Sequence, residues 1–283
     1  MDESQMIFGT VGNPSSAPDK PGGSVGAIRY LAEQKLYAFE IAWVRSVRVS
    51  EKTARKIGEE AEGNGVSLSV HAPYYINLNA DDDEWPKSRQ RLMDAAQAGN
   101  WAGATDIIFH PGSYFEQEPK DVLKHVLPRL EGCVKELRKG NNPVTLRPET
   151  MGKAALLGSL EDTLEMAAEI DGVEPCVDFA HLHARRGDGS LNSYDEWSTV
   201  LEKYADKLGE KALQHLHGHL SGIEYTEKGE QNHLMLADSD FDLDALIRAL
   251  VAFDCGGRIV CESPKMEQDA QVIKDTWQRA FSG

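Results

Sequence analysis

SLSVHAPYYINL, residues 67–78, is the stretch on which the reading of the fold turns. Its first five residues form a short apolar run of strand length that ends on a histidine, and a loop follows at once. Such a run, bounded by turn signals, reads as a buried strand. Comparable runs occur at 6–9 (MIFG), 37–41 (YAFEI), 106–110 (DIIFH), 144–148 (VTLRP), 174–178 (EPCVD), 213–219 (LQHLHGH) and 258–262 (RIVCE), which makes eight in all. Between them lie helical patterns at 24–33, 51–62, 86–103, 121–139, 160–169, 195–208, 243–253 and 269–281. Eight strand–helix pairs in 283 residues predict an α/β fold of the (β/α)8 barrel type, which typically takes about 250 residues. No Gly/Ser-rich or Pro-rich linker divides the chain, so a single domain over 1–283 is expected. A doubly wound open sheet would place a glycine-rich phosphate turn after its first strand, and GTVGNP at 9–14 does not complete GxGxxG.

Most of these runs end in a side chain able to bind metal. His71 closes SLSVH, His110 closes DIIFH, Glu149 follows VTLRP, Asp178 closes EPCVD, His219 closes LQHLHGH and Glu262 closes RIVCE. Parallel strands would gather these six onto the C-terminal rim, where barrel active sites are built. Imidazole and carboxylate together suit zinc or related divalent ions, while manganese, iron or cobalt are accepted by the same donors. A carboxylate such as Glu149 or Glu262 can bridge two ions, so several are implied. Asp178 and His181 form a DxxH pair that could serve two neighbouring ions. His215, His217 and His219 alternate, which on one strand puts all three on the same side. Only His219 is expected at the rim, with His217 behind it and His215 packed within the barrel. His233 in the following loop is a further candidate ligand. His183 reads as a surface bystander and His125 as solvent-facing on its helix.

Composition narrows the function classes. Hydrophobic residues at 41% and charged residues at 27% are ordinary for a globular protein and exclude disordered and fibrous chains. Thirty Lys and Arg face 46 Asp and Glu, and the net charge of −16 disfavours broad, non-specific binding to nucleic acid. The acidic start lacks a basic and apolar leader pattern, and no window approaches about 18 consecutive apolar residues, so a soluble cytoplasmic protein with no membrane partner is expected. Cys133, Cys176, Cys255 and Cys261 show no CxxC spacing and read as reduced thiols.

The segments VHAPYYINL (70–78), FHPGSY (109–114), PETMG (148–152), CVDFAH (176–181), HLSG (219–222) and ESP (262–264), in this order, resemble the endonuclease IV family of zinc-dependent apurinic/apyrimidinic endonucleases. The similarity covers nearly the whole chain. It implies hydrolysis of the DNA phosphodiester 5′ to an abasic site, in base-excision repair, by a barrel with up to three zinc ions. By matched position it implies His71, His110 and Glu149 as ligands of one ion. Glu149, Asp178, His219 and Glu262 would surround a second, and His181 and His233 would hold a third. Glu149 and Glu262 would be the catalytic carboxylates. The partner implied is double-stranded DNA carrying abasic sites, met by Tyr74 and Asn77 after the third strand and by Arg45, with Arg48 nearby, after the second. A monomer is expected.

The chain also departs from that pattern. Where the family has an Asp two residues before the loop histidine, this sequence has Gln231, a weaker oxygen ligand, preceded by Glu230. The third site would then be weaker, rearranged around Glu230, or empty. Around Glu149 the family usually reads Glu-Asn-Thr-Ala-Gly, whereas here Glu149-Thr150-Met151-Gly152-Lys153 is one residue shorter before the glycine. Two other readings stand beside the nuclease: a metal-dependent sugar isomerase or epimerase on a related barrel, and a non-catalytic barrel that binds metal or damaged DNA.

Overall fold

Side chains along a strand alternate between its two faces, and here the alternation sorts apolar residues outward and polar ones inward. The strands are β1 (Met6–Val11), β2 (Ala38–Ala42), β3 (Ser67–His71), β4 (Asp106–Phe109), β5 (Thr145–Pro148), β6 (Val177–Asp178), β7 (Leu216–Leu220) and β8 (Gly257–Cys261). The computed structural model describes residues 6–282. Residues 1–5 and 283, which include the acidic start and both ends of the expected 1–283 unit, lie outside the described residues. The strands pair in parallel in the order β5-β4-β3-β2-β1-β8-β7-β6. Parallel bridges from Leu146 to Val173 and from Glu149 to Cys176 join the two ends and close the barrel.

Eight helices cover it: α1 (Gly23–Glu33), α2 (Glu51–Asn64), α3 (Trp85–Trp101), α4 (Pro119–Lys139), α5 (Leu160–Glu169), α6 (Tyr194–Leu208), α7 (Leu243–Ala252) and α8 (Met266–Ser282). Phe39, Ile41, Leu68, Val70, Ile107, Leu146 and Ile259 meet them in one apolar cluster with Ile28, Leu31, Leu92 and Trp197. Burying each such side chain stabilises the fold by about 1.5–3 kcal/mol. Helix starts are set by capping. Ser159 with Asp162, and Ser193 with Glu196, form reciprocal capping boxes at α5 and α6.

The barrel interior is polar and layered. At its N-terminal end Arg147 bonds Asp106, Glu174 and the carbonyls of Pro175 and His215, while Arg258 also reaches Asp106 at 3.0 Å. Burial alone would raise the Asp106 carboxyl, but the two guanidiniums hold it well below the usual carboxylate range. Above this layer lie Glu40, Ser69 and His217, and above them the strand tips.

Every expected strand and helix is present within a few residues of its predicted bounds, with one consequential exception. The run predicted at 213–219 enters the sheet only at Leu216, because Glu210–His215 wind into a 3-10 helix. His215 is therefore exposed and not packed inside the barrel, and the three histidines do not share one strand. The elements that come unannounced include a short helix, Phe179–Arg185, directly after β6, and an antiparallel hairpin of Gly222–Thr226 with Gly229–Leu234 after β7. The four cysteines are free and buried. Among the described residues no helix is long and apolar enough to cross a membrane.

Candidate metal centre

The strand tips converge around Glu149, which is fully buried. One of its oxygens, Oε2, lies 3.1 Å from His71 Nε2 and 3.3 Å from His110 Nε2. The other, Oε1, lies 3.2 Å from His181 Nδ1 and 3.6 Å from His219 Nδ1. Asp178 Oδ2 and Glu262 Oε1 stand 4.0 and 3.5 Å from the same His219 nitrogen. The sequence-predicted residues thus assemble as three overlapping groups with ligand atoms within 4.8 Å of one another: His71, His110 and Glu149; Glu149, Asp178, His219 and Glu262; Asp178, His181 and His233. His183, expected at the surface, is instead fully buried, held by Ser190 O at 3.2 Å and Asp240 at 3.1 Å, and it takes no part. His125 is exposed on α4, as expected.

The partner of each ring's outer nitrogen fixes which nitrogen faces the cluster. His71 Nδ1 donates to Ala72 O at 3.0 Å, which leaves Nε2 toward Glu149. His181 Nδ1 donates to Thr150 O at 2.9 Å, which leaves Nε2 toward His233. His219 turns its Nε2 to Glu40 at 3.1 Å and its Nδ1 to the carboxylates. The two oxygens of Asp178 serve different ends. Oδ1 caps the short helix by accepting from His181 N at 2.6 Å, while Oδ2 stays free. The DxxH spacing is therefore that of a helix cap and its third residue, which brings the imidazole back over the carboxylate.

His233 comes from the hairpin, where its register explains the departure at Gln231. Ile223 pairs with His233 and Glu224 with Asn232, but Tyr225 pairs with Glu230, so Gln231 is the extra residue of a bulge. The bulge turns Gln231 out to solvent and brings Glu230 onto the inner face, 3.6 Å from His181 Nε2. Gly152 makes this possible. A Cβ there would lie 2.6 Å from the Glu230 carboxylate and 2.7 Å from its Cβ. Glu230 thus stands beside the third group, whose own donors are Asp178, His181 and His233.

This gathering of donors suits a cation. His181 Nε2 and His233 Nε2 face each other at 3.2 Å, a distance that requires a proton or an ion between them. Buried Glu149 Oε1, Asp178 Oδ2 and His219 Nδ1 have no hydrogen-bond partner. Without metal, protons take its place. Burial would lower the imidazoles, but Glu149 raises His71 to about 9, Asp178 and Glu149 hold His181 well above the ordinary value, and Cys176, Glu40 and Glu262 do the same for His219. Burial would raise Glu149, yet the histidines, His110 foremost, hold it well below the carboxylate range. Mixed imidazole and carboxylate donors with orphaned atoms aimed inward fit divalent ions.

The cluster floors a cavity of about 410 Å³, lined by Val11, Val44, His71, Tyr74, His110, Met151, His181, Glu230, His233 and Glu262. A larger hollow of about 850 Å³, beside Leu182, Arg185 and Lys203, contains none of the clustered side chains. Tyr74 is half-exposed at the cavity's edge, its hydroxyl donating to that of Tyr75 at 2.9 Å. Asn77 does not line the cavity. Its Oδ1 accepts from Asn79 N at 2.9 Å, beside a neighbouring depression. Arg45 and Arg48 are exposed on the loop after β2 and are not among the lining residues. Sequence reasoning missed Glu40; it named Glu230 as one alternative for the third group but not the bulge that turns it inward in place of Gln231. Glu40 was legible as an acid in the middle of an otherwise apolar buried strand.

Residues 28–280 match the xylose isomerase-like TIM barrel family. An uncharacterized protein of Methanocaldococcus jannaschii is 37% identical over 272 residues, 96% of each chain. Endonuclease 4 of Thermus thermophilus is 28% identical over 172 residues, which cover 57% of this chain and 60% of that relative's length. Among solved structures, a D-tagatose 3-epimerase-like protein superposes with a TM-score of 0.72 at 18% identity, over 98% of this chain and 97% of the other. Endonuclease IV from Thermus thermophilus superposes with a TM-score of 0.67 at 19% identity, over 98% and 100%. At such identities the two structures share the fold.

Proposed function

The chain belongs to the xylose isomerase-like TIM barrel family, and on that premise we propose that it is a metal-dependent apurinic/apyrimidinic endonuclease, hydrolysing the DNA phosphodiester 5′ to an abasic site. The observation that carries this reading is the position of Glu149, with one carboxylate oxygen among His71 and His110 and the other among His181 and His219. That is the arrangement of a bridging ligand, and it suits several ions rather than one. His71 and His110 would hold one, Asp178, His219 and Glu262 a second, and His181, His233 and Glu230 a third, with zinc the best match and manganese compatible. Ions held there would lower the pKa of water toward about 7 and offset charge on phosphate oxygens.

The chain's own groups supply the rest. Glu262, partly exposed at the cavity floor, orients the attacking water, and Glu149 fixes the spacing of the two histidine pairs. Tyr74 offers an aromatic edge beside the site, Arg45 on the exposed loop after β2 would meet a phosphate, and Asn77 would hold the loop that carries Tyr74. An abasic nucleotide has no base to unstack, so it rotates out of a duplex at low cost and suits a small cavity. A second reading, a single-ion sugar epimerase, draws support from the group of Glu149, Asp178, His219 and Glu262, which alone satisfies one ion. A duplex carrying one synthetic abasic site, incubated with metal-loaded and chelator-treated protein, tests the proposal. Intact strands with fully loaded protein would refute it, and one ion per chain would favour the epimerase.

A further inference from the structure

Directly beneath the cluster, Glu40 of β2 is buried to zero exposure in the barrel interior. Its Oε2 accepts from Ser69 Oγ at 2.8 Å and from His217 Nε2 at 2.9 Å. Its Oε1 stands 3.1 Å from His219 Nε2, and neither of these two buried atoms has a hydrogen-bond partner. An ionised carboxylate in this setting costs several kcal/mol in lost hydration unless its neighbours compensate. Those neighbours are a hydroxyl and two imidazoles, with no Lys or Arg among them. The His217 ring is wholly buried and turns its Nε2 to this carboxylate. Among the described residues, His219 is the ring that meets both Glu40 and the carboxylates of the cluster through opposite nitrogens.

We propose that Glu40 is a positioning residue for metal binding: held by Ser69 and His217, it fixes the proton of His219 on Nε2 and so presents the Nδ1 lone pair to the cluster. The inference rests on the reading of the cluster as a metal site, and it extends the site one layer down the barrel to strands β2 and β3. Glu40 could itself be counted as a ligand, since Glu40, His71 and His219 offer atoms within 4.8 Å of one another. The ring orientations decide against that. His71 spends Nδ1 on Ala72 O and Nε2 on Glu149, and His219 meets Glu40 through the nitrogen opposite the cluster. A carboxylate behind a ligating histidine raises its basicity and holds its orientation, and loss of such a partner weakens metal binding by about 10–100-fold.

Glu40→Gln keeps the shape and removes the charge. Zinc affinity, measured by competition with a chromophoric chelator, should fall about 10–100-fold, while circular dichroism of the chelator-treated variant matches the wild type. Nitrogen-15 histidine NMR of zinc-loaded wild type should show His219 protonated at Nε2 and ligated through Nδ1. That second measurement does not depend on the variant folding. Zinc affinity unchanged in Glu40→Gln, His219 ligated through Nε2, or no zinc bound by the wild type would each overturn the proposal. Zinc bound as expected with abasic DNA left uncut would overturn the nuclease reading alone.

Discussion

Zinc titrated into the metal-free protein should expel protons and bind far more tightly as pH rises. A ligating imidazole must be neutral, yet Glu149 holds His71 to about 9 in the metal-free cluster. At pH 7 only about 1% of that ring is neutral, so its proton alone weakens the apparent affinity about 100-fold relative to a fully neutral ring, or about 2.7 kcal/mol at 1.36 kcal/mol per pH unit. His181 and His219, also held high, steepen the dependence. Between pH 7 and 8 the apparent Kd should fall about tenfold from His71 and toward about a thousandfold if all three lose a proton. Calorimetry in two buffers of different ionisation enthalpy counts the protons directly. The metal-free fold responds in the opposite sense. Because the folded pKa of His71 is raised, its contribution to stability is complete below about 6.5 and is lost as pH climbs through about 9. A Kd that stays flat from pH 7 to 8, with fewer than one proton released, would mean that the cluster histidines are already neutral without metal.

Three further outcomes follow from the geometry. Arg147→Met strips Asp106 of its nearer cation at the closed end of the barrel and should cost about 3–5 kcal/mol in urea unfolding; a loss under about 1 kcal/mol would contradict the buried pairing. Gly152→Ala puts a Cβ 2.6 Å from the Glu230 carboxylate, so it should push the hairpin outward and remove one ion per chain by native mass spectrometry, with the other sites retained. Glu149→Gln removes the shared carboxylate and should lower metal content by more than one ion while reducing abasic-site cleavage by about 100-fold or more; normal cleavage would exclude Glu149 from the mechanism.

The barrel was legible because six of the eight strands carry their own stop signal, a polar donor at the point where apolar alternation ends. His71, His110, Glu149, Asp178, His219 and Glu262 are gathered by parallel pairing alone, so reading the strands was enough to read most of the cluster. What escaped was local geometry that breaks a simple period. His215 alternates with His217 and His219 in sequence, but the chain is still in a 3-10 helix at that point. Gln231 sits two residues before His233, the spacing that shares a face on a straight strand, and one bulge hands the inward position to Glu230. His183 looked peripheral because the short helix starting at Phe179 was not expected, and that helix carries it under the hairpin against Asp240. Glu40 was hidden inside a strand read only for its apolar character.

The net charge of −16 bears on how this molecule would meet DNA, since among the described residues the cavity lining holds no Lys or Arg and the cluster itself adds carboxylates. Bound ions would then supply much of the attraction to phosphate, and chelation should weaken DNA binding along with cleavage. The decisive measurement is the position of the cut on a duplex with a single synthetic abasic site. Metal-loaded protein should make one nick immediately 5′ to the lesion, leaving a 3′-hydroxyl, and chelated protein none. An intact duplex in the presence of protein with its full metal complement, or turnover of a ketose by that same preparation, would contradict the nuclease reading.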